Sequence, residues 1–166
     1  KISKPMLVVG NKIDEVPEQL RSKLAARNVA FASAASELAL RNAAGAHIIQ
    51  YLPGDAIFSI AGTATLTAAQ KGGLAKIAEV MKQYKGTGVQ QAVNRAVFDL
   101  LDMIVVYPVE DENHFCNKKG EVLPDAFLMR KGSTPHDLAY QVHTEIGKGF
   151  LYAVDARDRK STTSEL

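Results

Sequence analysis

The chain has 166 residues, of which 46% are hydrophobic and 23% are charged, and its formal net charge is +2. This length suits one domain or two small ones with a core, and the balanced charge neither requires nor excludes nucleic-acid binding. The apolar runs are shorter than the roughly 18 residues of a membrane helix, no leader pattern opens the chain, and the single Cys116 cannot form an internal disulfide. We therefore expect a cytoplasmic protein with a reduced thiol and no membrane partner.

The first quarter of the chain alternates predicted strands and helices. Residues Met6–Val9 predict a buried strand, and a helix is expected from Pro17 because Leu20 and Leu24 lie one turn apart. A second strand, "VAFAS", and a second helix follow. This alternation favours an α/β fold with a parallel sheet. Because a buried strand comes so soon after Lys1, we expect the chain to be a fragment of a longer protein.

The middle of the chain, residues 45–101, predicts a helical segment. A loop leads to a helix that opens at Thr67, with Gln70 in the register of a capping box, and a second helix is expected over residues 89–101. The two glycine-rich stretches of this segment, "QKGGLAK" and "YKGTGVQ", do not have the spacing of a phosphate-binding loop.

The last part of the chain predicts a small α+β domain. Its order is a strand "MIVVYPVE", a turn "NKKG", an apolar stretch "VLPDAFLM", a helix and a strand "FLYAV", after which no apolar segment is available to pair. The helix should begin at Thr134, since Pro135 suits its first position and Asp137 its first turn.

Two features of this last helix bear on packing and on metal binding. Leu138, Val142 and Ile146 recur four apart and are expected to face the sheet. His136 and His143 are seven apart, too far to ligate one metal as neighbours one turn apart would. We therefore interpret both histidines as solvated or capping residues and predict no metal site.

The tetrad Asn11-Lys12-Ile13-Asp14 directly follows the first predicted strand. The Asp14 carboxylate could accept two hydrogen bonds from the N1 and N2 donors of guanine, a pair that adenine lacks. Asn11 could brace the surrounding loops and offer its amide to the base, while the aliphatic stem of Lys12 lies along the ring. The alternative is an Asx-rich turn after a strand.

A second motif, Ser33-Ala34, follows the second predicted strand. Small side chains and exposed backbone N–H groups at this point could hold the O6 atom of a purine. The order strand, tetrad, helix, strand, Ser-Ala favours a guanine pocket over coincidence.

These motifs resemble a known family of GTPases. "KPMLVVGNKID" and "FASAASELALRNA" resemble the fourth and fifth guanine-recognition motifs of the Obg-like P-loop GTPases, in particular their YchF-related archaeal branch. "GVQQAVNRAVFDLLDMIVVYPVEDE" and "VLPDAFLMRKGSTPHDLAYQVHTEIGKGFLYAVDARDR" resemble the end of the helical segment and the TGS domain of those proteins, a ubiquitin-like β-grasp module. The implied organisation is the C-terminal part of a G domain at 1–44, the helical segment at 45–101, and a TGS domain at 102–166 without its closing strands.

The resemblance implies a guanine-nucleotide-binding protein associated with translation or the ribosome. In the intact parent it implies GTP or GDP with Mg²⁺, and the unaltered tetrad favours GTP over the ATP that typical YchF proteins prefer. No G-x-x-x-x-G-K-[ST] loop occurs in the sequence. We therefore expect that loop to lie in sequence outside this chain, and we expect this chain alone not to hydrolyse GTP; it offers no candidate catalytic residue.

Basic residues lie in pairs at two predicted turns of the last domain: Lys118 with Lys119, and Arg130 with Lys131. They could contact phosphate backbones or be solvated, and the resemblance implies docking on the ribosome or RNA. One alternative function is therefore a TGS-type interaction module that binds the ribosome or RNA without hydrolysing nucleotide. The related DRG branch also joins N-K-x-D to a TGS domain, but it places its extra helices elsewhere, so the segment 45–101 argues against it.

Overall fold

In the computed structural model, residues 4–62, 65–111, 113–123 and 125–162 are described. The chain forms two compact units, Lys1–Ala96 and Val97–Leu166. Among the described residues, no helix is both long and apolar enough to cross a membrane. The family-based boundaries after residues 44 and 101 stay predictions.

The first unit contains short strands and four α-helices within its described residues. In chain order these elements are β1 (Val9–Gly10), α1 (Glu18–Ala25), β2 (Ala30–Phe31), α2 (Ala34–Gly45), β3 (Ile49–Gln50), β4 (Ser59–Ile60), α3 (Ala68–Tyr84) and α4 (Val89–Asn94). A six-residue π-helix, Arg95–Leu100, follows α4 directly. The helix predicted from Val89 therefore starts where expected, but its hydrogen bonding changes from the α to the wider π pattern at Arg95.

Strands β1 and β2 pair in parallel, with Val9 opposite Ala30 and Gly10 opposite Phe31. The prediction of a buried strand over Met6–Val9 is wrong in two respects. The strand begins at Val9, and Met6 is 84% exposed. A sheet of two short strands cannot cover both of its own faces, so apolar side chains beside it stay in contact with solvent.

The core of the first unit joins α2, β3 and α3. Its buried side chains are Leu40, Ile49, Tyr51, Leu74 and Met81. Leu40 and Met81 are the largest apolar side chains that are fully enclosed. Apolar burial of this kind is the main force that holds the helices together.

The capping box predicted at the start of α3 is confirmed. The Gln70 N–H donates to Thr67 Oγ1 at 3.2 Å, and the Thr67 N–H donates to Gln70 Oε1 at 2.9 Å. The two bonds satisfy backbone donors that a helix start otherwise leaves unpaired.

The second unit contains two antiparallel strand pairs and two short helices among its described residues. They are β5 (Met103–Val106), β6 (Phe127–Arg130), α5 (Pro135–Val142), α6 (Thr144–Lys148), β7 (Ala153–Asp155) and β8 (Lys160–Thr162). Strand β5 pairs with β6, and β7 pairs with β8. The thiol of the single Cys116 is free and buried.

The polar end of the chain contributes a strand that the sequence did not predict. No apolar segment was expected to pair beside "FLYAV", and the segment that pairs antiparallel with Ala153–Asp155 is the polar Lys160–Thr162. The turn between the strands closes with Arg159 N–H donating to Asp155 O at 2.7 Å. Backbone hydrogen bonds form this pair, and they do not require apolar side chains.

The helix start at Thr134 is confirmed, but the helix is shorter than expected. The Asp137 N–H donates to Thr134 Oγ1 at 3.2 Å, and Pro135 occupies the first turn. Helix α5 ends at Val142, and His143 then caps α6, its Nδ1 accepting from Glu145 N at 3.2 Å. The predicted apolar stripe is therefore interrupted: Val142 and the more distant Ile146 are exposed.

Candidate functional site

The tetrad leaves the sheet at the carboxyl end of β1. The Ala30 N–H donates to Val8 O at 3.0 Å, and the Ala32 N–H donates to Gly10 O at 2.9 Å. The two chains therefore run side by side up to the first residue of the tetrad. Carboxyl ends of parallel strands are where α/β sheets present ligand-binding residues.

Asn11 links the tetrad to the Ser-Ala motif. Its Oδ1 accepts from the Lys12 N–H at 2.8 Å and from the Ala34 N–H at 3.0 Å. The structure thus brings together two predicted motifs that are 23 residues apart. Both bonds use the oxygen of the amide, and the Nδ2 donors of Asn11 have no acceptor within the described part of the chain.

Lys12 and Asp14 project from a tight turn. Lys12 has a left-handed backbone with φ of 61°, and its carbonyl accepts from the Glu15 N–H at 2.9 Å. Its ammonium lies 3.5 Å from the Glu15 carboxylate, an exposed pair of small energetic value. Ile13 is buried and anchors the turn. Asp14 is exposed, and its carboxylate has no hydrogen-bond partner among residues 4–62, 65–111, 113–123 and 125–162, so it is available to an external donor pair.

Ser33 differs from expectation because it is completely buried. Its Oγ accepts from the Ser36 N–H at 3.4 Å as the N-cap of α2, and its own N–H donates to Thr87 O at 2.8 Å. The expectation that Ser33 exposes its N–H and side chain is therefore wrong, since capping draws both inward. At the start of α2 the Ala34 N–H is held by Asn11, and the Ala35 N–H has no acceptor in the described ranges.

A buried carboxylate that the sequence did not single out lies in the first turn of α2. Glu37 is 5% exposed, and its Oε2 accepts from Thr87 Oγ1 at 2.6 Å and from Tyr51 Oη at 2.7 Å. Its Oε1 accepts from Arg41 Nε at 2.7 Å. Burial raises the pKa of Glu37, but the hydrogen bonds from Thr87, Arg41 and Tyr51 outweigh burial and hold the pKa below its ordinary value.

The stretch "YKGTGVQ" packs against the end of β2. Gly88 has φ of 82°, and a Cβ added there would lie 2.1 Å from the carbonyl oxygen of Phe31 and 3.0 Å from Ala32 Cα. Only glycine permits this approach. The two glycines around Thr87 were a sequence signal for a tight turn, but only the fold shows which backbone the turn meets.

The four predicted basic contacts lie in the second unit and are exposed. Lys118 and Lys119 occupy a turn in which Asn117 Oδ1 accepts from the Lys119 N–H at 2.9 Å, and Lys118 Nζ lies 3.7 Å from the Glu110 carboxylate. Arg130 ends β6, and Lys131 follows it. The two pairs thus belong to separate segments of the unit.

In residues 4–62, 65–111, 113–123 and 125–162, no three His, Cys, Asp or Glu side chains come together to hold a metal ion. The magnesium ion expected with the guanine nucleotide stays a prediction.

Comparisons with known proteins match nearly the whole chain. Residues 9–111 match the family described as Obg-like GTPase YGR210-like, G4 motif-containing domain, and residues 113–166 match the TGS domain. An uncharacterized GTP-binding protein of Methanocaldococcus jannaschii is 48% identical over 96% of this chain and 41% of its own length. An uncharacterized GTP-binding protein of Schizosaccharomyces pombe is 29% identical over 83% of this chain and 37% of its own length.

A solved structure is also similar. The crystal structure of a GTP binding protein from Pyrococcus horikoshii is 41% identical, with a TM-score of 0.69, and the match covers 98% of this chain and 43% of that one. The chain thus spans about two fifths of the length of these relatives. Because the family match covers more than half of its residues, the chain belongs to the YGR210-like Obg-like GTPases, of which it carries the G4 motif-containing domain followed by a TGS domain.

Proposed function

We propose that this chain carries the base-recognising part of a guanine-nucleotide site. The observation that supports it most is the hydrogen bond from Ala34 N–H to Asn11 Oδ1 at 3.0 Å, because it joins the tetrad to the Ser-Ala motif at one edge of the sheet. Membership of a GTPase family and GTP-binding relatives agree with this role.

In this proposal each group meets a different part of guanine. The exposed Asp14 carboxylate accepts from N1 and N2, and the free Nδ2 of Asn11 donates to an acceptor such as N7. The N–H of Ala35, which has no acceptor in the described ranges, faces O6, whereas the N–H of Ala34 is held by Asn11 Oδ1. The stem of Lys12 covers the ring. Ser33 acts indirectly, as the buried cap of α2.

Base specificity provides the test. The chain should bind GDP more tightly than ADP, as measured by isothermal titration calorimetry. Asp14→Asn should lose this preference and gain one for XDP, because xanthine has an acceptor at C2 where guanine has a donor. Asn11→Asp is the control for Asn11, since it keeps the acceptor for Ala34 and removes the donor to the base. Equal binding of GDP and ADP by the unaltered chain would refute the proposal.

We propose that this chain is part of a longer, cytoplasmic, YchF-related protein. That protein would hydrolyse GTP slowly, with Mg²⁺ bound by residues outside this chain, and work as a conformational switch. The intact tetrad supports a preference for GTP over ATP. The sequence of this chain supplies no phosphate-binding loop. The chain alone should therefore release no phosphate from GTP over many turnovers, and release that disappears in Asp14→Ala would contradict this assignment.

We also propose that the second unit docks on the ribosome or RNA through Lys118, Lys119, Arg130 and Lys131. All four side chains are exposed, which a phosphate contact requires. Cosedimentation with ribosomes should weaken as salt rises, and neutralising the four residues should reduce the salt dependence. Association that is insensitive to salt would count against this docking. That outcome would not bear on the proposed guanine site, which lies in the first unit.

A further inference from the structure

The turn that joins α3 to α4 closes a ring of hydrogen bonds around the start of α2. The Ser33 N–H donates to Thr87 O at 2.8 Å, Thr87 Oγ1 donates to Glu37 Oε2 at 2.6 Å, and the Glu37 N–H donates to Ser33 O at 3.1 Å. Ser33, Glu37 and Thr87 are all buried. Each of the three residues is therefore held by the other two.

This ring lies next to the Ala35 N–H, the group that the proposed function assigns to O6. Ser33 directly precedes Ala34, whose own N–H is bound by Asn11, and Ala35 is the next residue along α2. Gly88 holds the turn against the Phe31 carbonyl, which leaves the Ser33 backbone little room to move. The position of the Ala34 and Ala35 N–H groups is thus set by Thr87, a residue 50 or more positions away in the sequence.

The chemistry of the ring excludes a direct role in binding. Both oxygens of the Glu37 carboxylate already accept hydrogen bonds. Oε1 accepts from Arg41 Nε, and Oε2 accepts from Thr87 Oγ1 and from Tyr51 Oη, the latter at 2.7 Å. A carboxylate so occupied has little capacity left for a ligand. Its function is to hold Thr87, and through Thr87 the start of α2.

We propose that Thr87 and Glu37 are positioning residues for recognition of the 6-oxo group of guanine. The inference rests on the proposed guanine site and extends it to the helical segment. A hydrogen-bond donor discriminates an acceptor only when it is held within a few tenths of an ångström of its place. The buried ring supplies that constraint for the start of α2, where the exposed side chains of the tetrad do not.

The test measures which part of the base loses recognition. Dissociation constants are measured for GDP, for IDP, which lacks the N2 donor, and for 6-thio-GDP, whose sulfur is a weak acceptor. Thr87→Val should weaken GDP binding about tenfold, the cost of about one hydrogen bond. Binding of 6-thio-GDP should change little, so the preference for GDP over 6-thio-GDP shrinks. The preference for GDP over IDP, which reports on Asp14, should be preserved.

Two variants separate positioning from general damage. Thr87→Ser keeps the hydroxyl and should restore GDP binding. Thr67→Val removes a threonine hydroxyl bond elsewhere in the same unit, at the start of α3, and should leave all three affinities unchanged. Should Thr87→Val not fold, Glu37→Gln keeps the side-chain volume, weakens the acceptor for Thr87 and should show the same loss of preference.

The outcomes distinguish the two proposals. If the unaltered chain does not prefer GDP to ADP, the guanine site is wrong and this inference is wrong with it. If the unaltered chain prefers GDP and Thr87→Val keeps the full preference over 6-thio-GDP, this inference alone is overturned. If Thr87→Val weakened the binding of GDP, IDP and 6-thio-GDP equally, this inference would be overturned too, because the ring would then have only a structural role.

Discussion

Replacing Gly88 with alanine should destabilise the first unit by about 3 kcal/mol. Its φ of 82° is left-handed, which costs a residue with a Cβ about 1 kcal/mol. The new methyl group would lie 2.1 Å from the Phe31 carbonyl oxygen, so the turn must move away from β2. Forced displacement of a packed backbone adds about 2 kcal/mol.

Gly120→Ala, in the second unit, is a matched control for the backbone cost. Its φ of 80° is nearly the same as that of Gly88, and no described atom lies within 4 Å of an added Cβ. We expect a loss of about 1 kcal/mol, from the backbone alone. The free energy of unfolding of both variants is measured by urea unfolding followed by far-UV circular dichroism, and the m-values should be unchanged. A loss for Gly88→Ala no larger than that for Gly120→Ala would refute the close approach of the turn to β2.

Three further outcomes are expected. Thr134→Ala should destabilise the second unit by about 1 kcal/mol in thermal unfolding, because it removes a capping box, while Thr134→Ser should retain stability. Hydrogen bonds from the His114 side chain, the largest contribution, and from the backbone N–H groups of Asn113 and His114 lower the pKa of Asp111 to about 2. Carboxyl NMR titration of His114→Ala should therefore show a higher pKa for Asp111, and an unchanged value would argue against the side-chain bond. Because the pKa of Glu37 is lower in the folded chain than in the unfolded one, its contribution to stability is present above the unfolded pKa and should fade as the pH falls through the folded pKa. Glu37→Gln should reduce this acid sensitivity, as measured by urea unfolding at several pH values.

Features formed by residues that are close together in the sequence could be predicted from it. The capping box predicted at Thr67 and the helix start predicted at Thr134 both formed, and each involves residues three positions apart. Asn11 and Ala34 could be placed together because parallel strands bring their carboxyl ends to one edge. These features need no knowledge of distant packing.

Features that depend on distant partners were missed. The role of Glu37 depends on Thr87, 50 residues away, and a glutamate in the first turn of a helix is usually only a favourable charge at the dipole. The burial of Ser33 depends on the same partner. Met6 was mispredicted because a packing partner is absent and not because an unexpected one is present. Its apolar neighbours predict a buried strand, but no described residue packs over it.

The side chain of Asn11 extends the hydrogen bonding between β1 and β2 beyond the end of the two strands. The backbone of Lys12 turns away from β2, so its carbonyl cannot accept from Ala34, and the side chain of Asn11 takes its place. Substitutions that remove this oxygen would therefore break one hydrogen bond at the end of the sheet as well as any contact with a base, while the Ile13 N–H still donates to Ala32 O at 3.2 Å. Variants of Asn11 and variants of Asp14 therefore give different information. A variant of Asn11 changes both the end of the sheet and the contact with a ligand. A variant of Asp14 changes only the contact with a ligand, because the Asp14 side chain contacts no described hydrogen-bond partner.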